Sequence, residues 1–347
     1  MGGKDMVTRK EVAELAGVSE ATVSRVFNNI GPIKPQTKMR VMQAAKQLDY
    51  HPNAIAQSFA RSRSGNLGVL IPYMPKVHLF STYYFSEILS GIGEQVREQG
   101  YDMVLTLLTP DESHDYSRLF RSRKVDACII LGSRDTVEQR ASLQQLQDQG
   151  LPFCIVNQHF EGMQLNEVDA DHVEGSYMAV RHLTEAGFRK IAFLNGSSEY
   201  SNSQDRLLGY KNAMKDAGLE MPPQLLLEGN YSRKSGYEVA SKFWELRHEF
   251  DAVLVANDRM AIGLMQGLRE RGWIAGLDFA VVGCDDSDAA MLSNPQLTSV
   301  SVPFFEMGKV ATRELLVKVL GGEGGTTFQI KMPTKLIVRQ STMREHD

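Results

Sequence analysis

The stretch from Val7 to Asn28, VTRKEVAELAGVSEATVSRVFN, limits most sharply what this chain can fold into. Thr8 can cap a helix whose apolar residues recur at Val12, Leu15 and Ala16. Gly17 follows at once, in the place where a helix is usually stopped by a left-handed residue. Ser19 then opens a second helix carrying Val23 and Val26 on one face. Two short helices about a tight glycine turn form a helix-turn-helix, whose second helix enters a major groove. Its polar face holds Ser19, Glu20, Thr22, Ser24, Arg25 and Asn28, side chains able to bond base edges and phosphates.

The charge distribution agrees. Residues 1–63 carry ten Lys and Arg against five Asp and Glu, whereas the remainder carries 28 against 37. A basic arm on an acidic body suits one module that meets phosphate and another that does not. After a Gly-Pro turn, Pro35 opens a third helix to about Leu48, with Val41, Ala44, Ala45 and Leu48 as its apolar stripe. Lys34 and Thr37 at its start are candidate phosphate contacts.

From Leu67 the texture becomes alternating strands and helices: LGVLIP, then a helix from Phe85 to Glu98, a strand from Tyr101 to Leu108, VDACIIL and PFCIVN. The rhythm restarts after Val168 with KIAFLNG, AVLVAN and FAVVGCDD, each separated by amphipathic helices. Such alternation implies parallel sheets with helices on both faces, and two similar halves imply two doubly wound subdomains with a cleft at the strand C-termini.

AGVSEATVSRVFN followed by KPQTKMRVMQAAKQLDYHPNAIAQSFA resembles the headpiece of the lactose-repressor/galactose-repressor family of bacterial transcription regulators. The resemblance implies an all-α helix-turn-helix headpiece plus an α/β periplasmic-binding-protein-like core of two doubly wound parallel-sheet subdomains. It implies a headpiece over 1–52, a hinge helix and linker over 53–66, one core subdomain of 67–164 plus 298–322, and another of 165–297 plus 323–342. The chain would cross between subdomains near Gln164, Gln296 and Gly322. Glu20 and Ala21 occupy the family's main base-choosing positions, and Arg25 is the expected guanine reader. Thr8, Tyr50 and Asn53 join the DNA-facing set, with Ala56 and Phe59 at the hinge; Phe59 stands where the family's pattern commonly has Leu. A phenyl ring in that place can still unstack a base step.

Three motifs of the body match family signatures: QDRLLGY, VANDRMAIG and VGCDD. Arg206, Asn257 and Asp285 in them offer a forked donor, an amide and a carboxylate, the groups that hold paired sugar hydroxyls. By the resemblance they face an effector pocket, with Tyr231 as a stacking aromatic and Asn157 at the end of a strand. Asp258, Asp286 and Asn157 serve equally well as helix or turn caps, and Cys284 is expected behind the pocket. Phe80 and Tyr84, in an unusually aromatic segment, are candidate wall residues.

Two rivals have less support. A catalytic body would show a phosphate loop, a G-x-S-x-G elbow or an HExxH pair, and none is found. No cofactor or metal is expected: the eight histidines form no ligand-spaced cluster, and His172 and His182 are expected to be solvated or capping. An exported solute receptor would need a signal peptide, and MGGKDMVTRKE lacks its apolar stretch. Cys128, Cys154 and Cys284 form no CxxC pair and are expected as buried thiols in a reducing cytoplasm. The expectation is a cytoplasmic homodimeric regulator that holds a near-palindromic operator and answers to a small effector, a sugar or sugar phosphate by family habit. The chain shows no leucine-heptad tail after VRQST, so a dimer rather than a tetramer is expected.

Overall fold

The computed structural model describes residues 7–28, 30–51, 63–73, 79–109, 115–321 and 327–343. The chain divides into two compact units, one holding the N-terminal residues to Asn66 with Leu119–Asp126, the other holding the rest.

In the first unit, α1 (Arg9–Ala16), α2 (Glu20–Asn28) and α3 (Pro35–Leu48) enclose a small core. Thr8 accepts from the Glu11 amide while the Glu11 carboxylate takes the Thr8 amide, a reciprocal cap on α1. Gly17 ends α1 at a φ of 61°. The buried stripe is Val12, Ala13 and Ala16, not Leu15, which is 47% exposed. The turn brings Val23 and Val26 of α2 onto that stripe, and Val41, Ala44 and Ala45 of α3 close it.

The second unit is built on two six-stranded sheets. The first has the order β11-β5-β4-β3-β1-β2, from β1 (Asn66–Pro72), β2 (Asp102–Leu108), β3 (Ala127–Leu131), β4 (Phe153–Val156), β5 (Glu167–Ala170) and β11 (Gln329–Met332). The second has the order β12-β10-β9-β8-β6-β7, from β6 (Ile191–Asn195), β7 (Leu226–Glu228), β8 (Ala252–Val255), β9 (Ala280–Asp285), β10 (Thr298–Ser301) and β12 (Lys335–Ile337). Pairings of β1 with β3, β3 with β4, β6 with β8 and β8 with β9 are all parallel, and β12 joins β10 antiparallel. Helices α4 (Tyr83–Glu98), α5 (Ser117–Arg121), α6 (Val137–Asp148), α7 (His172–Glu185), α8 (Ser201–Asp216), α9 (Arg233–Glu245), α10 (Asp258–Arg269), α11 (Asp288–Leu292) and α12 (Phe304–Gly321) connect and cover the strands.

The crossings fall later than Gln164, Gln296 and Gly322. Strand β5 still pairs with β4, β10 still pairs with β9, and β11 returns to β5 before β12 leaves for the second sheet. The chain therefore crosses after Ala170, after Ser301, and between Met332 and Lys335. These short strands carry Glu, Asp, Ser and Thr and lack an apolar run, yet β5 and nearly all of β10 are buried.

Helix α4 packs on α12 at close range. A Cβ on Gly91 would meet the Phe305 carbonyl, and one on Gly308 would meet the Ile88 carbonyl, so both glycines set the approach of the two backbones. The three cysteines are buried free thiols, as expected, and burial pushes the Cys128 and Cys284 thiols up to about 12.

Candidate functional site

The exposed face of α2 presents Glu20, Ala21 and Arg25, with Thr22 and Ser24 half-buried. Ser19 accepts from the Thr22 amide at 3.2 Å and shares a hydroxyl bond with Thr22 at 2.9 Å, which fixes the start of the helix. Glu20 is paired with Arg9 at 3.3 Å. Arg25 donates through Nε to the Ile30 carbonyl at 3.3 Å, and its guanidinium lies against Gly31. The turn after α2 thus positions Arg25 while its terminal nitrogens stay on an exposed side chain.

Asn28 differs from its expected place: it is only 8% exposed and donates to Ser24 at 3.2 Å, so it braces the helix from inside. Tyr50 is half-buried and packs on Phe27, ring centroids 5.7 Å apart. Lys34 is exposed and Thr37 half-buried at the start of α3. Asn53, Ala56 and Phe59 lie outside the described residues.

A cavity of about 350 Å³ opens in the second unit, lined from both sheets. Five residues expected at the cleft from the sequence meet there with Tyr84: Asn157, Arg206, Tyr231, Asn257 and Asp285. Phe80 is not among its lining residues and is 70% exposed. Tyr83, Tyr84, Phe85, Tyr200, Tyr231 and Phe304 give the cavity aromatic walls. Edge-to-face packing of Tyr84 on Phe304 (5.2 Å, 88°) and of Tyr200 on Tyr231 (5.8 Å, 81°) holds them.

Arg206 projects from α8 and is 4% exposed, and its Nε and Nη1 have no hydrogen-bond partner among the described residues. Burial works against its charge, but the neighbouring Cys284, Tyr231 and Asp285 outweigh that and hold its pKa above the ordinary value. Asp285 ends β9 at a φ of 118°. Burial, and then the field of Asp258, push its carboxyl well above the usual carboxylate range. Asp258 itself lies beneath the cavity and accepts from the Ser287 amide, the Ser287 hydroxyl and the Ser299 hydroxyl.

The remaining polar groups are held by their neighbours. Asn257 caps α10 through the Met260 amide at 3.0 Å and donates to the Tyr231 carbonyl at 3.1 Å. This helps fix Tyr231 at a φ of 63°, its hydroxyl bonded to Ser203 and, at 3.3 Å, to Asn202. His172, expected to be solvated or capping, is 2% exposed and bonds the Asn157 side chain at 2.8 Å. Burial drives its pKa well below the ordinary value, so a neutral imidazole holds Asn157. Arg259 was not anticipated at the cavity, although it sits two residues after Asn257; it donates to Thr82 at 3.0 Å and ties the start of α10 to the entry of α4. Arg134, paired with Glu199 at 3.2 Å, also lines the cavity with no sequence signal of its own.

A helix-turn-helix module in one chain with a two-sheet receptor of this kind defines a DNA-binding transcription regulator controlled by an effector. The comparisons say the same. Residues 8–53 match the model for bacterial regulatory proteins of the lacI family, and residues 180–342 match the periplasmic binding protein-like domain. The HTH-type transcriptional regulator RegA of Clostridium saccharobutylicum is 33% identical over 339 residues, covering 96% of this chain and 98% of that protein. The lac repressor dimer bound to operator and an anti-inducer superposes with a TM-score of 0.85 at 26% identity, covering 98% of this chain and 100% of the other. A transcriptional regulator CelR in complex with cellobiose matches with a TM-score of 0.73 at 29% identity, over 96% and 99% of the two chains. The chain belongs to the LacI family of bacterial transcription regulators. Among the described residues no helix is long and apolar enough to cross a membrane.

Proposed function

We propose that this protein is a repressor acting as a cytoplasmic homodimer on near-palindromic double-stranded operator DNA, and that a sugar or sugar derivative in the cleft controls its grip. The observation that carries the effector class is Arg206: a buried guanidinium with two unpaired N–H edges inside an aromatic-walled cavity. A buried donor left unbonded costs roughly 1–3 kcal/mol, more when charged, and a ligand oxygen removes that cost. Asp285 beside it supplies the complementary acceptor, so the pair suits adjacent hydroxyls, and flat aromatic faces suit the C–H faces of a sugar ring. The cellobiose complex of CelR supports the same class. In this reading Arg206, Asp285, Asn257 and Asn157 hold the ligand, Tyr231 and Tyr84 wall it, and no catalytic role is assigned.

For DNA, Glu20, Ala21 and Arg25 choose bases, while Thr8, Ser19, Thr22, Ser24, Lys34, Thr37 and Tyr50 set register and Asn28 supports the helix. The hinge residues Asn53, Ala56 and Phe59 complete the set. Two assays test the proposal. A thermal-shift panel of mono- and disaccharides, sugar phosphates and purines should show stabilisation by a sugar, about 2.7 kcal/mol at a hundred times Kd. A response confined to purines would reject the ligand class. Arg25→Ala should weaken binding to the selected operator more than to random DNA; equal losses would remove Arg25 as a base reader.

A further inference from the structure

A second group of polar side chains near the start of α8 lines a cavity other than the effector cavity. His159 follows β4, Asp169 lies on β5, and Asp205 lies on α8. Their ligand-type atoms all fall within 4.8 Å of one another. His159 Nδ1 is 3.0 Å from an Asp169 oxygen and 3.8 Å from an Asp205 oxygen. The shorter contact is a hydrogen bond between the ring and Asp169. Metal–ligand bonds of about 2.0–2.2 Å place neighbouring donor atoms about 3–4 Å apart, so an ion could replace that bond with little movement of the side chains.

Two further observations point to an occupant. Glu167, two residues before Asp169 on β5, is 7% exposed; Gln329 donates to one of its oxygens at 3.2 Å and the Phe160 amide also acts on the carboxyl, yet Oε1 has no close hydrogen-bond donor among the described residues. The Asp205 Oδ2 is likewise without a hydrogen-bond donor among those residues. All four side chains line one cavity of about 370 Å³, distinct from the effector cavity. Carboxyl groups and a half-buried imidazole around one cavity make a mixed oxygen and nitrogen donor set of the kind that divalent transition metals take. Lys331 also borders the cavity but is exposed.

We propose that His159, Asp169 and Asp205, with Glu167 behind them, form a binding site for one divalent transition-metal ion. One imidazole nitrogen with carboxylate oxygens suits zinc, cobalt, manganese or iron better than the all-oxygen shell of calcium. The ion would join the two lobes: Asp169 lies on β5 of the first sheet and His159 just after β4, whereas Asp205 lies on α8, which follows β6 of the second sheet. Asp205 also precedes Arg206, so the ligand-bearing turn of α8 is the one that aims the guanidinium into the effector cavity.

The test uses the full-length chain freed of metal by chelation, with Zn²⁺ and Co²⁺ titrated separately at pH 7.5 and no sugar present. One saturating equivalent per chain is expected, with visible Co²⁺ ligand-field bands and a raised Tm. Asp205→Asn and His159→Ala should each weaken binding by at least about tenfold. Circular dichroism of Asp205→Asn, the near-isosteric change, checks that the fold is kept. No saturable binding to the parent protein overturns the proposal, as does binding unaltered in both variants; the first result would leave a protonated His159 as the partner of the carboxylates. The readout is metal alone, so failure here leaves the sugar-effector reading untouched.

Discussion

At Arg206 a charge is buried to 4% exposure and held by its neighbours, yet Nε and Nη1 are left without hydrogen-bond partners among the described residues, and each such donor carries an unmet desolvation cost. Replacing that charge with an apolar side chain of similar length removes the unmet donors together with the proposed ligand contact. Arg206→Met is expected to weaken sugar binding by about 10- to 100-fold, read by calorimetry, and to cost the empty protein some stability because the buried Asp285 loses its cationic neighbour. Asp258 beneath the cavity gives a pH signature. Burial pushes its carboxyl up to about 6 against hydrogen bonds from Ser299 and Ser287. The unfolded carboxyl ionises near pH 3.9, so this group favours the folded state fully below about pH 4. That contribution is lost as pH rises through about 6. Thermal scans of the parent and of Asp258→Asn should therefore diverge across this window, the parent losing Tm relative to the variant as pH rises. At this scale six of the seven cleft residues named from sequence meet at the cavity, Arg206, Asn257 and Asp285 because their motifs sit at strand ends and helix starts, and Phe80 does not. The sequence reading missed Arg134 and Tyr200, which only the return of distant chain brings to the same wall. It also misplaced His172, since an imidazole with one internal partner, Asn157, looks the same in sequence as a solvated one.

Elements were legible where their own periodicity fixed them. The three headpiece helices and the long helices of both halves lie within a few residues of their predicted spans because capping residues and 3.6-residue stripes are local signals. Strands β5, β10, β11 and β12 were not, since three or four residues such as EVDA carry no such signal and owe their pairing to neighbours far away in sequence. The packing of α4 on α12 can be probed with two glycines of one helix. Gly91→Ala forces a methyl group into the Phe305 carbonyl, whereas a Cβ at Gly93 meets nothing within 4 Å. The first change is expected to cost about 1–3 kcal/mol, and the second to gain about 0.5–1 kcal/mol from helix propensity alone. Urea midpoints at constant m-value measure both. Equal effects of the two substitutions would mean that the close approach of these helices does not matter to stability.

For the molecule as a whole, the two-sheet receptor matters to transcription only through a difference in ligand affinity between the operator-bound and free forms. A ligand that bound both forms equally would regulate nothing, however tightly it bound. Coupling is reciprocal: if a sugar lowers operator affinity by some factor, the operator must lower sugar affinity by the same factor. Allosteric couplings between two sites are typically about 1–3 kcal/mol, or roughly 5- to 150-fold. The expected outcome is that calorimetric sugar Kd values measured with and without saturating operator differ by the ratio seen when operator Kd is measured with and without saturating sugar. An inducer makes both ratios unfavourable and a co-repressor makes both favourable, so the same experiment fixes the sign of the response. If sugar binds the cleft but neither ratio departs from one, the cleft is a binding site without regulatory effect and the two units work independently. In Arg206→Met the operator Kd should persist while its sugar dependence disappears, which separates loss of the effector from loss of the DNA-binding fold.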